Sequence, residues 1–297
     1  MSQPIAYTIS KEAVIKSISA THVVMSSVQA DGDNRVIIPD ENGVYRGIYL
    51  GAINVNNSAG AFYIPDVKTV AEILNDKSQA FARQLTNGYL QGEKKHPDLP
   101  PPRNKEEAMA QFVRNMTVDP DRASHSILKV ELFESNIPGP SGGKIIIFKG
   151  DIQPLDNEFG RDLKSQLDNP KINVAFSIRC GTIDTVVNGK VHKSIKTIVT
   201  WDWVKEPGIW LASKWHTVGT SMESYQISRP SSADQNTSIS IDYESFREIY
   251  KNCEDGGIKG IAKEDNDALF TSLKKIDVEL STSTLETTTK EVMAIFQ

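Results

Sequence analysis

Apolar and polar positions along the chain alternate mostly at the period of strands, with a few helical stretches and a polar tail. From Thr21 to Val28 (THVVMSSV) and from Val44 to Val55 (VYRGIYLGAINV), β-branched and aromatic residues dominate and Gly or Asn bounds the runs, so both segments are predicted strands. Residues 65–88 place Val67, Val70, Ile73 and Leu74 at helical spacing, with Pro65 at the start and Gly88 at the end, and predict one helix. The next segment, GEKKHPDLPPPRN, carries three consecutive prolines that forbid helix and central strand, so it is predicted as a surface loop. Asn104 is placed to cap a short helix, KEEAMAQFVRNM, whose acidic residues lie in the first turn.

Beyond Asp119 and Pro120 the pattern returns to strands. SILKVELFE and KIIIFKGDI are joined by SNIPGPSGG, which has hairpin-loop chemistry. A helix over Glu158–Leu167 leads into INVAFSIRCGTID, and after Asn188-Gly189 comes KVHKSIKTIVTWDWVKEP. Past about Tyr225 the composition turns polar. SRPSSADQNTSIS reads as a linker, IDYESFREIYKNC as a helix, and the remainder as weakly patterned. The expected organisation is a domain over 1–226, a linker over 227–240 and a partly mobile C-terminal segment over 241–297. The expected class is α+β, centred on strands.

Composition narrows the function. In 297 residues, 39% are hydrophobic and 24% charged, as in globular domains, and the net charge of -5 comes without a long basic run, so nucleic acid is not an expected partner. No stretch is long and apolar enough to cross a membrane, and the N-terminal residues lack a signal-peptide core. The two cysteines, Cys180 and Cys253, and the five histidines stand in no metal-ligand spacing, and no loop has a phosphate-binding pattern. No metal or cofactor is therefore expected, and a reducing compartment is the expected home.

Gly139-Pro140-Ser141-Gly142-Gly143 fits the G-x-S-x-G formula, but a strand follows it where a nucleophile elbow needs a helix. Ser177 and Arg179, two apart on a predicted strand, share a face opposite Val174, Phe176 and Ile178. On a central strand such a pair is either a satisfied polar pair or the wall of a cleft. Asp202, between Trp201 and Trp203, faces away from both rings. It is either a surface carboxylate beside Lys205 or a group that orients a histidine. With His96 in the proline loop as base, Ser177 as attacking group, and Arg179 or nearby backbone N–H groups at the oxyanion, the residues of an acyl transfer are all present.

Together these segments resemble the prohead core (head maturation) proteases of large tailed phages, relatives of the herpesvirus assemblins. The likeness runs through Gly47-Ile48-Tyr49, Asn56-Asn57, Tyr63-Ile64-Pro65, Gly92-Glu93-Lys94-Lys95-His96-Pro97, Val118-Asp119-Pro120, Phe176-Ser177-Ile178-Arg179 and Asp202-Trp203-Val204. The order histidine, serine, then a third member one hairpin later is similar to that of the assemblins and differs from other serine-hydrolase triads. Cys180 stands where the family has glycine, which returns at Gly181. The third member varies among the relatives, so His192 and His216 rival Asp202.

The resemblance implies a mixed, mostly antiparallel β-barrel surrounded by helices. It implies a serine endopeptidase with His96, Ser177 and Asp202 as triad, working as a homo-oligomer inside the immature capsid in the host cytoplasm. The implied substrates are capsid and scaffold precursors and the enzyme itself, cut after a small residue, any residue, then Glu. That pattern ends at Glu12, Glu223 and Glu264. Lys94, Lys95, Arg103 or Arg179 is the expected partner of the substrate glutamate. The rival reading is a non-catalytic capsid- or scaffold-associated protein on the same barrel. A thiol hydrolase using Cys180 is weaker, because on a strand Cys180 is expected to point away from Ser177.

Overall fold

The computed structural model describes residues 7–11, 36–218, 237–241, 243–258, 261–263 and 265–278. In chain order the first half holds β1 (Tyr7–Lys11), β2 (Tyr45–Ile53), β3 (Val55–Asn56), β4 (Phe62–Tyr63), α1 (Val67–Asn75), α2 (Ala80–Thr86), β5 (Gln91–Glu93) and α3 (Lys105–Met116). The second half holds β6 (Ala123–Pro138), β7 (Lys144–Pro154), α4 (Glu158–Asp168), β8 (Ala175–Val187), β9 (Lys190–Val204), α5 (Lys214–Thr217), β10 (Thr237–Ile241) and α6 (Tyr243–Glu254). Residues 265–278 are also helical. The predicted strand over Thr21–Val28 and the candidate cleavage residues Glu12, Glu223 and Glu264 lie outside the described residues.

The class is α+β and the strands are mostly antiparallel, the exception being the parallel pair of β4 and β9. The described strands form two curled sheets, in the orders β10-β1-β8-β9-β4-β3 and β2-β7-β6-β5. A parallel bridge from Lys94 to Trp203, just past the end of β5, ties the second sheet to the first. Bulges in the β2–β7, β6–β7 and β8–β9 ladders curl the sheets.

One helix was expected over 65–88, and two are found. Asp66 caps α1 by accepting from the Thr69 N–H at 3.1 Å. The chain then breaks because the Asp76 carboxylate accepts from Ser78 N at 2.9 Å while its carbonyl accepts from Gln79 N at 2.8 Å, a local turn that competes with helix. Asn104 caps α3 as its sequence predicts, accepting from Glu107 N at 2.8 Å.

The β8–β9 hairpin is the frame of the molecule. Asn188 and Gly189, both at positive φ, form the two-residue turn that the Asn-Gly pair predicts, setting Val187 opposite Lys190. Two register shifts then each add one residue to β9, so that Asp202 rather than Thr200 stands opposite Ser177.

The main core lies where the two sheets meet, with Tyr45, Ile48, Leu50, Phe148, Phe176 and Trp201 fully buried and α1, α2 and α4 packed against it. A second cluster joins Phe112, Val113 and Met116 of α3 to Ile241, Phe246, Ile249, Leu269, Leu273 and Ile276. Residues 237–241, the first four of which were read from sequence as linker, form β10 against β1. Their alternation TSISI is a strand pattern hidden by polar composition. Ile241, Phe246 and Ile249, with Leu269, Leu273 and Ile276, thus share a core with α3.

Gly92 at the middle of β5 leaves no room for a side chain: a Cβ there would lie 2.1 Å from the Trp201 carbonyl oxygen and 2.4 Å from the His125 ring. Gly92→Ala is therefore expected to destabilise the protein by about 3 kcal/mol or more, read as a lowered midpoint in urea unfolding. A midpoint equal to wild type contradicts this packing.

Candidate active site

Asp202 is fully buried and faces β5, as does its neighbour Thr200, whose hydroxyl donates to the Gln91 carbonyl at 2.6 Å. Trp201 and Trp203 turn the other way into the core, as the alternation predicts. Three donors converge on the Asp202 carboxylate. The Glu93 backbone N–H reaches Oδ1 at 2.9 Å, Arg179 Nη2 reaches Oδ1 at 2.9 Å, and His96 Nδ1 reaches Oδ2 at 2.7 Å. Burial alone would raise this carboxyl, but the Arg179 charge and the His96 and Glu93 hydrogen bonds outweigh it and hold it down at about 2. The aspartate is thus ionised across the physiological range.

His96 reaches Asp202 because the chain turns sharply after β5. Lys95 N donates to the Trp203 carbonyl at 2.7 Å, and Lys95 itself sits at φ +68, the left-handed region. Pro97 holds the preceding residue extended. Nδ1–H is committed to the aspartate, so Nε2 is the nitrogen left to accept a proton. His96, a quarter exposed, and Ser177, 8% exposed, line one cleft with Leu50, Tyr63, Asn115 and Ile209. Among the described residues Ser177 Oγ has no hydrogen-bond partner, which leaves it open to the cleft.

Arg179 has a different place from the one expected. Its guanidinium is 2% exposed: Nη1 donates to the Thr117 carbonyl at 2.8 Å, and Nη2 donates to Glu93 Oε1 at 2.8 Å and Asp202 Oδ1 at 2.9 Å, so Nη2 is fully claimed. Its work is to hold the aspartate. His192 is far along the hairpin, opposite Thr185 and edge-on to Phe62, and His216 bonds Ser213 Oγ at 2.8 Å and lies edge-on to Trp210. Neither touches Asp202. Cys180 is buried in the main core and burial pushes its thiol up to about 12, so it supplies no thiolate near neutrality. Ser141 Oγ donates to Asn54 Oδ1 at 2.7 Å and pins the β6–β7 turn.

The family model described as Peptidase S80 family matches residues 23–276. The chain belongs to this family. It is also 32% identical over 209 residues, 69% of this chain and 73% of the relative, to the capsid maturation protease of Pseudomonas phage phiKZ. No solved structure matches. The chain is therefore a peptidase, and among its described residues no helix is long and apolar enough to cross a membrane.

Two buried residues near this site were given no role from sequence, although Glu93 stands in the segment that carries the resemblance. Glu93 is fully buried and meets Arg114, Arg122 and Arg179. A carboxylate two residues before a loop, amid arginines scattered over the chain, carries no local signal of that meeting. His125, fully buried on β6, bonds Ser124 Oγ through Nδ1 at 3.0 Å and packs edge-on against Phe176.

Burial lowers His125 to about 4 from an ordinary 6.5. Because the folded value is the lower one, the unfolded chain binds the extra proton between pH 6.5 and about 4. This contribution to stability is complete above pH 6.5 and falls by up to about 3 kcal/mol through that window. His125→Gln is expected to flatten the loss of urea midpoint between pH 7 and pH 4.5. An unchanged slope contradicts the assignment.

Proposed function

We propose that this peptidase is a serine endopeptidase that cuts capsid and scaffold precursors, and itself, after Glu during maturation of a phage prohead. The observation that carries the reading is the contact of His96 Nδ1 with buried Asp202 Oδ2 at 2.7 Å beside Ser177, which faces Asp202 across the hairpin. The relative's role in capsid maturation and the family support the setting. The two curled sheets are read as an open form of the assemblin-like barrel.

The chemistry is acyl transfer. His96 Nε2 takes the Ser177 proton as Oγ attacks the carbonyl following the glutamate side chain, and Asp202 stabilises the imidazolium that forms. His96 then protonates the leaving amine, and water completes the cycle through the same nitrogen. With Arg179 committed below the site, backbone N–H groups near Ser177 are left to hold the oxyanion.

Of the cations considered for the substrate glutamate, Lys94 pairs with Asp162 at 2.7 Å, Arg103 with Glu107, and Arg179 with Glu93 and Asp202. Lys95 is exposed, adjoins His96 and has no ion-pair partner among the described residues, so the proposal assigns it to the glutamate.

Purified wild type is expected to shorten on incubation, with new ends after Glu264 and Glu223, while Ser177→Ala stays intact by mass. Equal shortening of both excludes Ser177. No shortening of either, with no cleavage of a capsid precursor, favours the assembly-protein reading. Asp202→Asn is expected to lower kcat/KM by about a thousandfold or more. Lys95→Ala is expected to remove most of the preference for a Glu peptide over its Gln analogue, and an unchanged ratio excludes it.

A further inference from the structure

Beneath the cleft lies a buried carboxylate that the catalytic steps do not use. Glu93 is fully buried, and each of its oxygens is claimed by arginine. Oε1 accepts from Arg179 Nη2 at 2.8 Å, Arg114 Nη1 at 3.0 Å and the Asp119 backbone N–H at 2.9 Å. Oε2 accepts from Arg114 Nη2 at 2.7 Å and faces Arg122 Nε at 3.5 Å. For stability alone such a cluster is a poor choice, since packed apolar side chains of similar volume generally serve as well or better.

The informative atom is Arg179 Nη2. This one nitrogen is shared between Glu93 Oε1 at 2.8 Å and Asp202 Oδ1 at 2.9 Å, while Asp202 Oδ2 receives His96. Resting on the triad reading above, we propose that Glu93 is a positioning residue for hydrolysis: by holding Arg179, it sets how much positive charge Asp202 feels and so how strongly the aspartate draws the His96 imidazole.

The physical reason is competition for one carboxylate. With Glu93 in place, Arg179 is neutralised from below, and Asp202 keeps its charge for the histidine as it turns cationic in the transition state. Without Glu93, Arg179 belongs to Asp202 alone and opposes the imidazolium. Arg114, from α3, tempers Glu93 in turn. The remaining charged or titratable groups facing this cluster are Arg122, Asp119, 3.8 Å from Arg114, and His125 on β6, kept neutral by burial.

Two variants of the full chain separate this role from mere support. Glu93→Gln removes a negative charge and Arg114→Gln a positive one. The acid limb of kcat/KM against pH is expected to move down in Glu93→Gln and up in Arg114→Gln, each by about half a pH unit or more. The Glu93→Gln plateau is expected to fall by about tenfold to a hundredfold, chiefly in kcat. Support alone lowers both plateaus without moving the limbs apart, and that result overturns the proposal. If Glu93→Gln does not fold, Arg114→Gln decides by itself: an upward limb sustains the proposal and an unmoved limb ends it.

The low-field proton resonance of the His96 Nδ1–H, followed in a Ser177→Ala background, is a readout free of proteolysis. Its displacement by Glu93→Gln sustains the coupling even if Ser177 proves not to be the nucleophile. An unmoved resonance, where the chain with Ser177 intact is an active protease, overturns the coupling and leaves the triad standing.

Discussion

The site hangs on a carboxylate kept charged in the protein interior. A buried ionised aspartate costs several kcal/mol unless donors replace its lost water, and Asp202 gets its donors from three separate pieces of chain: the β5 backbone, Arg179 on β8, and His96 in the loop after β5. None of the three is local in sequence to Asp202. The fold must bring them together, and several of its odd features serve that end. Gly92 lets β5 lie against Trp201, Lys95 turns the chain at positive φ, and two bulges in β9 shift the register until Asp202 meets Ser177.

The same constraint organises the electrostatics. Arg179 is bound to acids on both sides, so the cluster alternates in sign from Arg114 through Glu93 and Arg179 to Asp202, which meets the His96 ring. Alternation lets each buried charge be screened by its neighbours and leaves the last carboxylate oxygen for the histidine. The cluster also ties the cleft to α3, whose Arg114 side chain meets Glu93 and whose following residue, Thr117, offers its carbonyl to Arg179. The opposite side of α3 packs under the C-terminal helices.

Much of this was legible beforehand. The Asn188-Gly189 turn and the alternation around Asp202 announced the β8–β9 hairpin, and Asn104 announced α3, because turn and cap chemistry are local. The resemblance singled out His96, Ser177 and Asp202; His96 and Ser177 line one cleft, and the buried Asp202 meets His96. What sequence could not show depends on partners far away. The partners of Arg179 were not legible because Glu93 and Thr117 lie 86 and 62 residues distant along the chain. The helix over 65–88 looked continuous because its apolar spacing outweighed the Asp76 turn. The mostly antiparallel strands were expected, but their arrangement in two curled sheets was not, since local patterns mark strands but not how their edges meet.

The central claim, that Ser177 is a nucleophile activated by His96 held on Asp202, is tested most directly by covalent labelling. The wild-type chain treated with a fluorophosphonate and mapped by peptide mass is predicted to carry one adduct, on Ser177, and the His96→Ala chain to carry none. An adduct on another residue, or equal labelling of Ser177 without His96, would contradict the account.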